Sequence, residues 1–336
     1  FPFIDEGLRY KPAIRVEGAC ATGGLALMSG IKSILAETAE VVLVLGFEVQ
    51  NTVKAIYCAD YLAGAGWFKN RKTGHAYYFP GQFSDRAGSY FEKYGRDKTR
   101  QALARWFRNA VENARLCPTA QEYHNTVKDL DALAMMEPNG RTFIDNLNVF
   151  DCSKVSDGAS AIAIVSEEGL KRCGIPASEA IEVLGWGQIE EDITQPPVDP
   201  TELSTTKEAV KMALTTAGIT RDQIGTAEIH DCFTIAGLMC MEAIGFAEKG
   251  KGADYILEGH TSRTGRVPVN TTGGLIGWGH PTGGTGVHQA VTILEQLTGH
   301  AGDAQVNIPA DRPYGLTVNM GGDDKSLVSI VYKRGM

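Results

Sequence analysis

Four short segments of the sequence hold side chains that chemistry could use. Cys20 stands in Glu17-Gly18-Ala19-Cys20-Ala21-Thr22-Gly23-Gly24, a glycine-rich turn that opens a helical pattern. A thiol at a helix N-terminus faces unpaired N–H groups and the positive end of the helix dipole, so a lowered thiol pKa is expected there. The bland reading of a lone cysteine is a small buried hydrophobe. His280 lies in a second such turn, Gly277-Trp278-Gly279-His280-Pro281-Thr282-Gly283-Gly284. A lone histidine is commonly structural, but a cysteine and a histidine together are a minimal nucleophile and base. His230-Asp231-Cys232-Phe233 follows one strand pattern and precedes a helix. That is the carboxyl end of a strand, where functional groups of open α/β sheets collect. The alternative is that Asp231 merely caps the helix. Asn319-Met320-Gly321-Gly322 ends another strand, and Gly321 could offer a backbone N–H to an oxyanion.

These segments need elements to hold them. Residues 13–16 read as a short strand, and Leu25, Met28, Ile31, Ile34 and Leu35 follow at helical spacing. Residues 41–45 form an apolar run expected of a strand buried on both faces. Strand, helix, strand predicts a parallel sheet here. From about 50 to 150, aromatics lie among glycines and charges; the spacing predicts a helix over 97–116 (Leu103, Trp106, Phe107, Val111), and the region reads as an insertion. Further strands are expected at 159–165, 181–184, 226–229, 267–269, 315–318 and 327–331. Helices are expected at 202–217, 234–246 and 284–298. Thr22-Gly23-Gly24 recurs as Thr282-Gly283-Gly284, each time at the head of an amphipathic helix. The reading is an internal duplication, with Cys20 and His280 at equivalent helix starts that pseudo-twofold packing would bring together.

Composition narrows the functions. The chain has 336 residues, 43% apolar and 21% charged, with a formal net charge of −8. Its length suits two domains or one duplicated one, and its acidity argues against nucleic-acid binding. Glycine, at 39 residues, exceeds the usual ~7% share without a collagen-like period. Seven cysteines, an odd number without C-x-x-C or zinc-finger spacing, read as free thiols of a reducing, cytoplasmic compartment. No apolar run is long enough to span a membrane. No dinucleotide fingerprint or phosphate-binding loop occurs, and no metal and no nicotinamide cofactor are expected.

Together these residues resemble the thiolase superfamily, most closely its sterol-carrier-protein-2 type and acetoacetyl-CoA thiolases. The resemblance rests on residues 16–24, on His230-Asp231-Cys232-Phe233, on Gly279-His280-Pro281-Thr282-Gly283-Gly284-Thr285-Gly286, and on residues 150–159, beginning Phe150-Asp151-Cys152-Ser153. It implies an α/β fold of two similar halves packed in five layers, α-β-α-β-α, with an inserted loop domain. Residues 1–50 and 151–180 would form the first half, 51–150 the loop domain, and 181–336 the second half. The family's first half starts earlier than this chain does. The expectation is that its opening strands lie outside this sequence or come from another chain, leaving the first sheet an open edge. Other thiolases carry a second cysteine in a C-x-G motif, where this chain has Asn319-Met320-Gly321; in the sterol-carrier type the H-D-C-F cysteine takes that role.

What the resemblance implies for function is an acetyl-CoA C-acyltransferase. Cys20 would be the nucleophile and His280 its base. Cys232 would move the α-proton, His230 and His280 would hold the enolate oxygen, and Cys20 and Gly321 N–H groups would hold the tetrahedral oxyanion. Coenzyme A thioesters are substrates, with no separate cofactor. Arg71, Lys72, Arg86 and Lys93 are candidates for coenzyme A's phosphates, and Tyr77-Tyr78-Phe79 for a lid. A homodimer or homotetramer is expected, with a DUF35-type OB-fold protein and HMG-CoA synthase as further partners. Alternatives are a ketoacyl synthase or HMG-CoA synthase-like enzyme, disfavoured by Cys232; a retro-aldolase, disfavoured by Cys20; and an inactive scaffold subunit.

Overall fold

The structure, a computed structural model, describes residues 6–67, 69 and 75–335. The chain runs α1 (Thr22–Leu35), β1 (Val41–Glu48), α2 (Ala55–Leu62), α3 (Tyr78–Tyr94), α4 (Arg96–Ala114), α5 (Leu130–Ala134), β2 (Gly158–Val165), α6 (Glu167–Cys173) and β3 (Ile181–Glu190). It continues through α7 (Ser204–Ala217), β4 (Ile224–Ile229), α8 (Thr234–Ile244), α9 (Gly252–Leu257), α10 (Gly274–Gly277), α11 (Thr282–Thr298), β5 (Tyr314–Gly321) and β6 (Ser326–Arg334).

The two helices that begin with Thr-Gly-Gly form the middle of the molecule. α1 and α11 pack side by side between a two-stranded sheet, β1-β2, and a four-stranded sheet of order β3-β6-β5-β4. Their apolar stripes supply Leu27, Met28 and Ile31 from one and Val287, Ala290 and Ile293 from the other, all buried against Val44, Val328 and Ile330. Each of the larger ones (Leu, Met, Ile, Val) removed from water stabilises by about 1.5–3 kcal/mol. The helices touch at their glycines: a Cβ on Gly23 would lie 2.7 Å from the backbone nitrogen of Gly286. Larger residues there would push apart the two turns that carry Cys20 and His280. α7 covers the far face of the four-stranded sheet and packs on α8, which in turn meets α3 and α4. One continuous core joins this side of the second half to Phe83, Tyr90, Leu103 and Trp106 of the inserted region.

Several expectations are corrected. Residues 13–16 form no strand. β1 pairs with β2, and antiparallel, with Val41 opposite Val165 and Glu48 opposite Gly158; the parallel pair lies in the second half, between β4 and β5. β1 is buried on one face only, since Leu43 and Phe47 are 55% and 49% exposed while Val44 is 4%. The alternation comes from packing α1 and α11 against one side of the sheet. Residues 267–269 contribute a single parallel bridge, Ala227 with Val269, rather than a strand. The inserted region contains α3 as well as the expected helix.

Candidate active site

Cys20 occupies a 3-10 turn, Ala19–Ala21, immediately ahead of α1. Ala19 takes a left-handed φ of 53°, which costs a non-glycine residue about 1–2 kcal/mol. The turn supplies the compensating bonds: Ala19 N–H donates to Glu17 Oε1 at 2.8 Å, and Gly18 N–H to Thr22 Oγ1 at 2.9 Å. The Cys20 sulfur meets its own N–H and that of Gly322, and both favour the thiolate. Burial opposes them and wins, with Glu48 and Glu17 adding repulsion, so the thiol is pushed up to about 12. This overturns the lowered pKa expected from the helix start. The dipole is present, but the half-buried thiol loses more to desolvation than the dipole and the two N–H groups return, and two carboxylates act against its charge.

His280 precedes α11 and is held from behind. Its N–H donates to Ser156 Oγ at 2.9 Å, and its Nδ1 lies 2.7 Å from Thr285 Oγ1. The Thr285 hydroxyl donates to Pro281 O at 3.1 Å. Its one hydrogen being spent there, Thr285 accepts from Nδ1–H, which leaves Nε2 with a lone pair. Nε2 is buried and has no hydrogen-bond partner. Burial lowers the imidazole pKa to about 3. The resting pair is therefore a neutral thiol and a neutral base.

His230 follows β4 and meets His280 edge to face, with ring centroids 5.0 Å apart and planes at 87°. One ligand-type atom each from Cys20, His230 and His280 lies within 4.8 Å of the other two. A sulfur and two imidazoles so placed can act on one carbonyl, and the distances would also suit a soft divalent ion.

Cys232 is buried in the same turn and is not part of that tight trio. Its carbonyl accepts from Ser153 N–H at 2.8 Å, and Phe233 bridges to Cys152. Burial raises its thiol pKa well above the ordinary value, with further contributions from the charges of Cys20, Asp231 and Cys152. A thiol so raised is a strong base once ionised. Asp231 does not cap α8, the helix that follows it, which starts after Phe233 without a side-chain cap. Its carboxylate accepts from Trp106 Nε1 at 2.9 Å and Leu275 N at 2.7 Å, fixing the turn to α4 and α10.

Gly321 stays paired with Ser326 in the β5-β6 ladder and presses on the turn that carries Cys20; a Cβ there would lie 2.7 Å from Gly18 O. The N–H that reaches the Cys20 sulfur is that of Gly322, next along the chain. Arg86 is not free for phosphates: it is buried against Asp323 and donates to Pro200 O and Glu202 O at 3.1 and 2.9 Å. Lys93 bonds Asp199 at 2.9 Å at the surface, and Arg71 and Lys72 lie outside the described residues. Tyr78 is buried against Gly66 and Tyr77 packs on Phe143, so these two serve packing rather than a lid. Sequence reasoning missed Ser156, Thr285, Gly322 and Glu48. Glu48, at the end of β1, accepts from Thr282 Oγ1 at 2.5 Å and Gly283 N–H at 3.1 Å, tying the first sheet to the His280 turn. Ser156 and Thr285 lie within the quoted motifs, where among residues 150–159 no residue, and among 279–286 only His280, had an assigned role.

Comparison with known proteins places this geometry. Residues 188–334 match the family described as thiolase C-terminal domain-like. An acetyl-CoA acetyltransferase of Methanothermobacter thermautotrophicus is 33% identical over 98% of this chain and 82% of its own length. The chain belongs to the thiolase family. Sterol carrier protein 2 of Oryctolagus cuniculus is 31% identical over 89% of this thiolase and 55% of its own length. Among solved structures, the Ltp2-ChsH2(DUF35) aldolase superposes with a TM-score of 0.76 at 20% identity, covering 94% of this chain and 78% of that one, a likeness of fold. The duplicated α/β architecture is thus that of the thiolases.

Proposed function

We propose that this thiolase joins two acyl-CoA thioesters by Claisen condensation, acetyl-CoA to acetoacetyl-CoA, or runs the reverse thiolysis, through an acyl-Cys20 intermediate. The observation that carries the reading is the Cys20, His230 and His280 trio, with an unpartnered, deprotonated Nε2 on His280. The acetyl-CoA acetyltransferase relatives support the substrate.

His280 Nε2 takes the Cys20 proton as sulfur attacks the thioester carbonyl. The Cys20 and Gly322 N–H groups, already on the sulfur, would serve as backbone donors to the tetrahedral oxyanion; loss of one such donor costs about 2.7–4 kcal/mol. As the C–S bond to coenzyme A breaks, the leaving thiolate takes the Cys232 proton. Cys232, now a thiolate, removes the α-proton of a second acetyl-CoA. The enolate oxygen is held by His230 and by the proton on His280. The α-carbon then attacks the acyl-cysteine, Cys20 leaves, and His280 returns its proton. Two thiols are needed because one is acylated while the other moves a proton.

Mass spectrometry after acetyl-CoA incubation tests the nucleophile: Cys20→Ala removes the acyl adduct, and an adduct that persists overturns the assignment. Cys232→Ser keeps the adduct and loses α-proton exchange in deuterated water; retained exchange removes Cys232 from its role. We propose further that the enzyme is cytoplasmic, forms a dimer or tetramer, and accepts a DUF35-type OB-fold partner and HMG-CoA synthase. Support for the DUF35 partner is the fold neighbour whose name includes such a protein. Co-purification with light scattering on the pair tests it, and a lone monomeric peak argues against it. No described helix is long and apolar enough to cross a membrane.

A further inference from the structure

We infer that Asn319 is a positioning residue that fixes the tautomer of His230, holding its proton on Nε2 where it can be donated into the site. The geometry stands on its own; the catalytic consequence rests on the thiolase reading above. Asn319 is buried on β5, 2% exposed, directly behind the nucleophile turn. Its amide orientation is set by two groups that have no choice. Gly24 N–H can only donate, and it lies 2.9 Å from Oδ1. Cys20 O can only accept, and it lies 3.0 Å from Nδ2. The oxygen and nitrogen of Asn319 are thereby assigned by the network.

Nδ2 has a second hydrogen, and His230 Nδ1 lies 3.3 Å away. A donor facing Nδ1 requires a lone pair there. A neutral imidazole carries one proton, which must then sit on Nε2. Burial keeps His230 neutral, its pKa well below the ordinary histidine value, so a doubly protonated ring does not supply an escape. His280 is wired in the opposite sense, with its Nδ1 hydrogen given to Thr285 and Nε2 bare. Two neighbouring imidazoles thus differ in function because their back sides differ: one is a base, the other a donor. Asn319 links three parts of the site, since one amide holds the first turn of α1, the Cys20 carbonyl and His230. With Nδ1 already accepting and Nε2 protonated, His230 is also a poor ligand for a metal at this trio.

The test is nitrogen NMR of protein labelled at histidine, with His230 assigned by its loss in His230→Asn. A protonated ring nitrogen and a bare one have well-separated shifts. The unsubstituted protein is expected to show a bare Nδ1 and a protonated Nε2 at His230; the reverse pattern overturns the inference. In Asn319→Asp, a carboxylate faces Nδ1, and the proton is expected to move to it, by tautomer exchange or by protonation of the ring. Unchanged His230 shifts in a folded Asn319→Asp protein also overturn it. Should Asn319→Asp not fold, Asn319→Ser, which can satisfy only part of the network, is expected to show mixed tautomers, and a single unchanged tautomer counts against the inference.

The kinetic arm separates positioning from general damage. Asn319→Asp is expected to slow α-proton exchange about 100-fold, the usual range for one lost donor, and the acyl adduct much less. His230→Asn puts an amide donor at residue 230 that has no tautomer, so adding Asn319→Asp to it should cost far less than in the parent. Equal costs in both backgrounds make Asn319 merely structural and overturn the proposal. If the parent protein forms no acyl adduct, the functional reading fails while the NMR result still decides the tautomer.

Discussion

The guanidinium of Arg86 on α3 is buried against the carboxylate of Asp323, the residue that follows Gly322. The neighbouring Asp324, with a left-handed φ of 59°, accepts from the N–H groups of Thr205 and Thr206 at 2.9 Å each. The loop that brings the Gly322 N–H to Cys20 is thus fastened on one side to the inserted region and on the other to the first turn of α7. Removing one partner of a buried pair leaves an uncompensated charge, at a cost of about 3–5 kcal/mol. Arg86→Ala is expected to lower the thermal midpoint and to slow Cys20 acylation. Asp323→Ala added to it should recover part of the stability but not the rate. Calorimetry and adduct kinetics read the two, and full recovery of both would make the pair irrelevant to the loop.

Cys20 should alkylate slowly at neutral pH. With the thiol pushed up to about 12, the thiolate fraction rises about tenfold per pH unit through the accessible range. Iodoacetamide labelling of Cys20, followed by peptide mass spectrometry, should therefore climb steadily from pH 7 to pH 10. A plateau below pH 9 would contradict the raised thiol.

Acylation by thioester should behave differently, because it uses the neutral pair. His280 is held down at about 3; above that pH its Nε2 is unprotonated, so acidifying from pH 8 to pH 5 does not remove the base. The rate of adduct formation is expected to stay flat over that interval. An ordinary histidine would lose most of the base form below about 6.5. Thr285→Val deletes the acceptor of Nδ1–H and the hydrogen bond with it, worth about 1.4 kcal/mol, so adduct formation should fall about tenfold. A rate in Thr285→Val equal to the parent's would remove the threonine from this arrangement.

What was legible in the sequence is local. The glycine turns and apolar periodicities of α1 and α11 mark both helices, because a turn and a stripe are decided within a dozen residues. Cys20, His230, Cys232 and His280 were legible for the same reason, each at a strand or helix end. The partner of β1 was not, since β2 lies beyond the whole inserted region and pairing across that distance leaves no local sign. α3 was hidden by Pro80, Gly81 and Gly88, which break a helical reading although proline is tolerated in a first turn. The raised Cys20 thiol was out of reach because burial and Glu48 come from other elements. Asn319 lay in a segment already singled out, yet its use of both ends of the amide depends on Gly24 and His230, which only the fold brings to it.

The close approach of Gly23 and Gly286 ties the duplication to the chemistry. A methyl group on Gly23 would stand 2.7–2.8 Å from backbone atoms of Gly286 and Val287, and none of these is the movable end of a side chain. Gly23→Ala must therefore separate α1 from α11. Overpacking of this kind costs about 1–3 kcal/mol, partly offset by alanine's better helix propensity. The larger effect should fall on activity, since Cys20 rides on one helix start and His280 on the other. Adduct formation is expected to drop at least tenfold while the protein stays folded at 25 °C. Ser33→Ala, on an outer face of the same helix, gives up only a bond to Ser29 O and should leave that rate unchanged. If Gly23→Ala acylates as fast as the parent, the spacing of the two helices does not set the distance between thiol and imidazole.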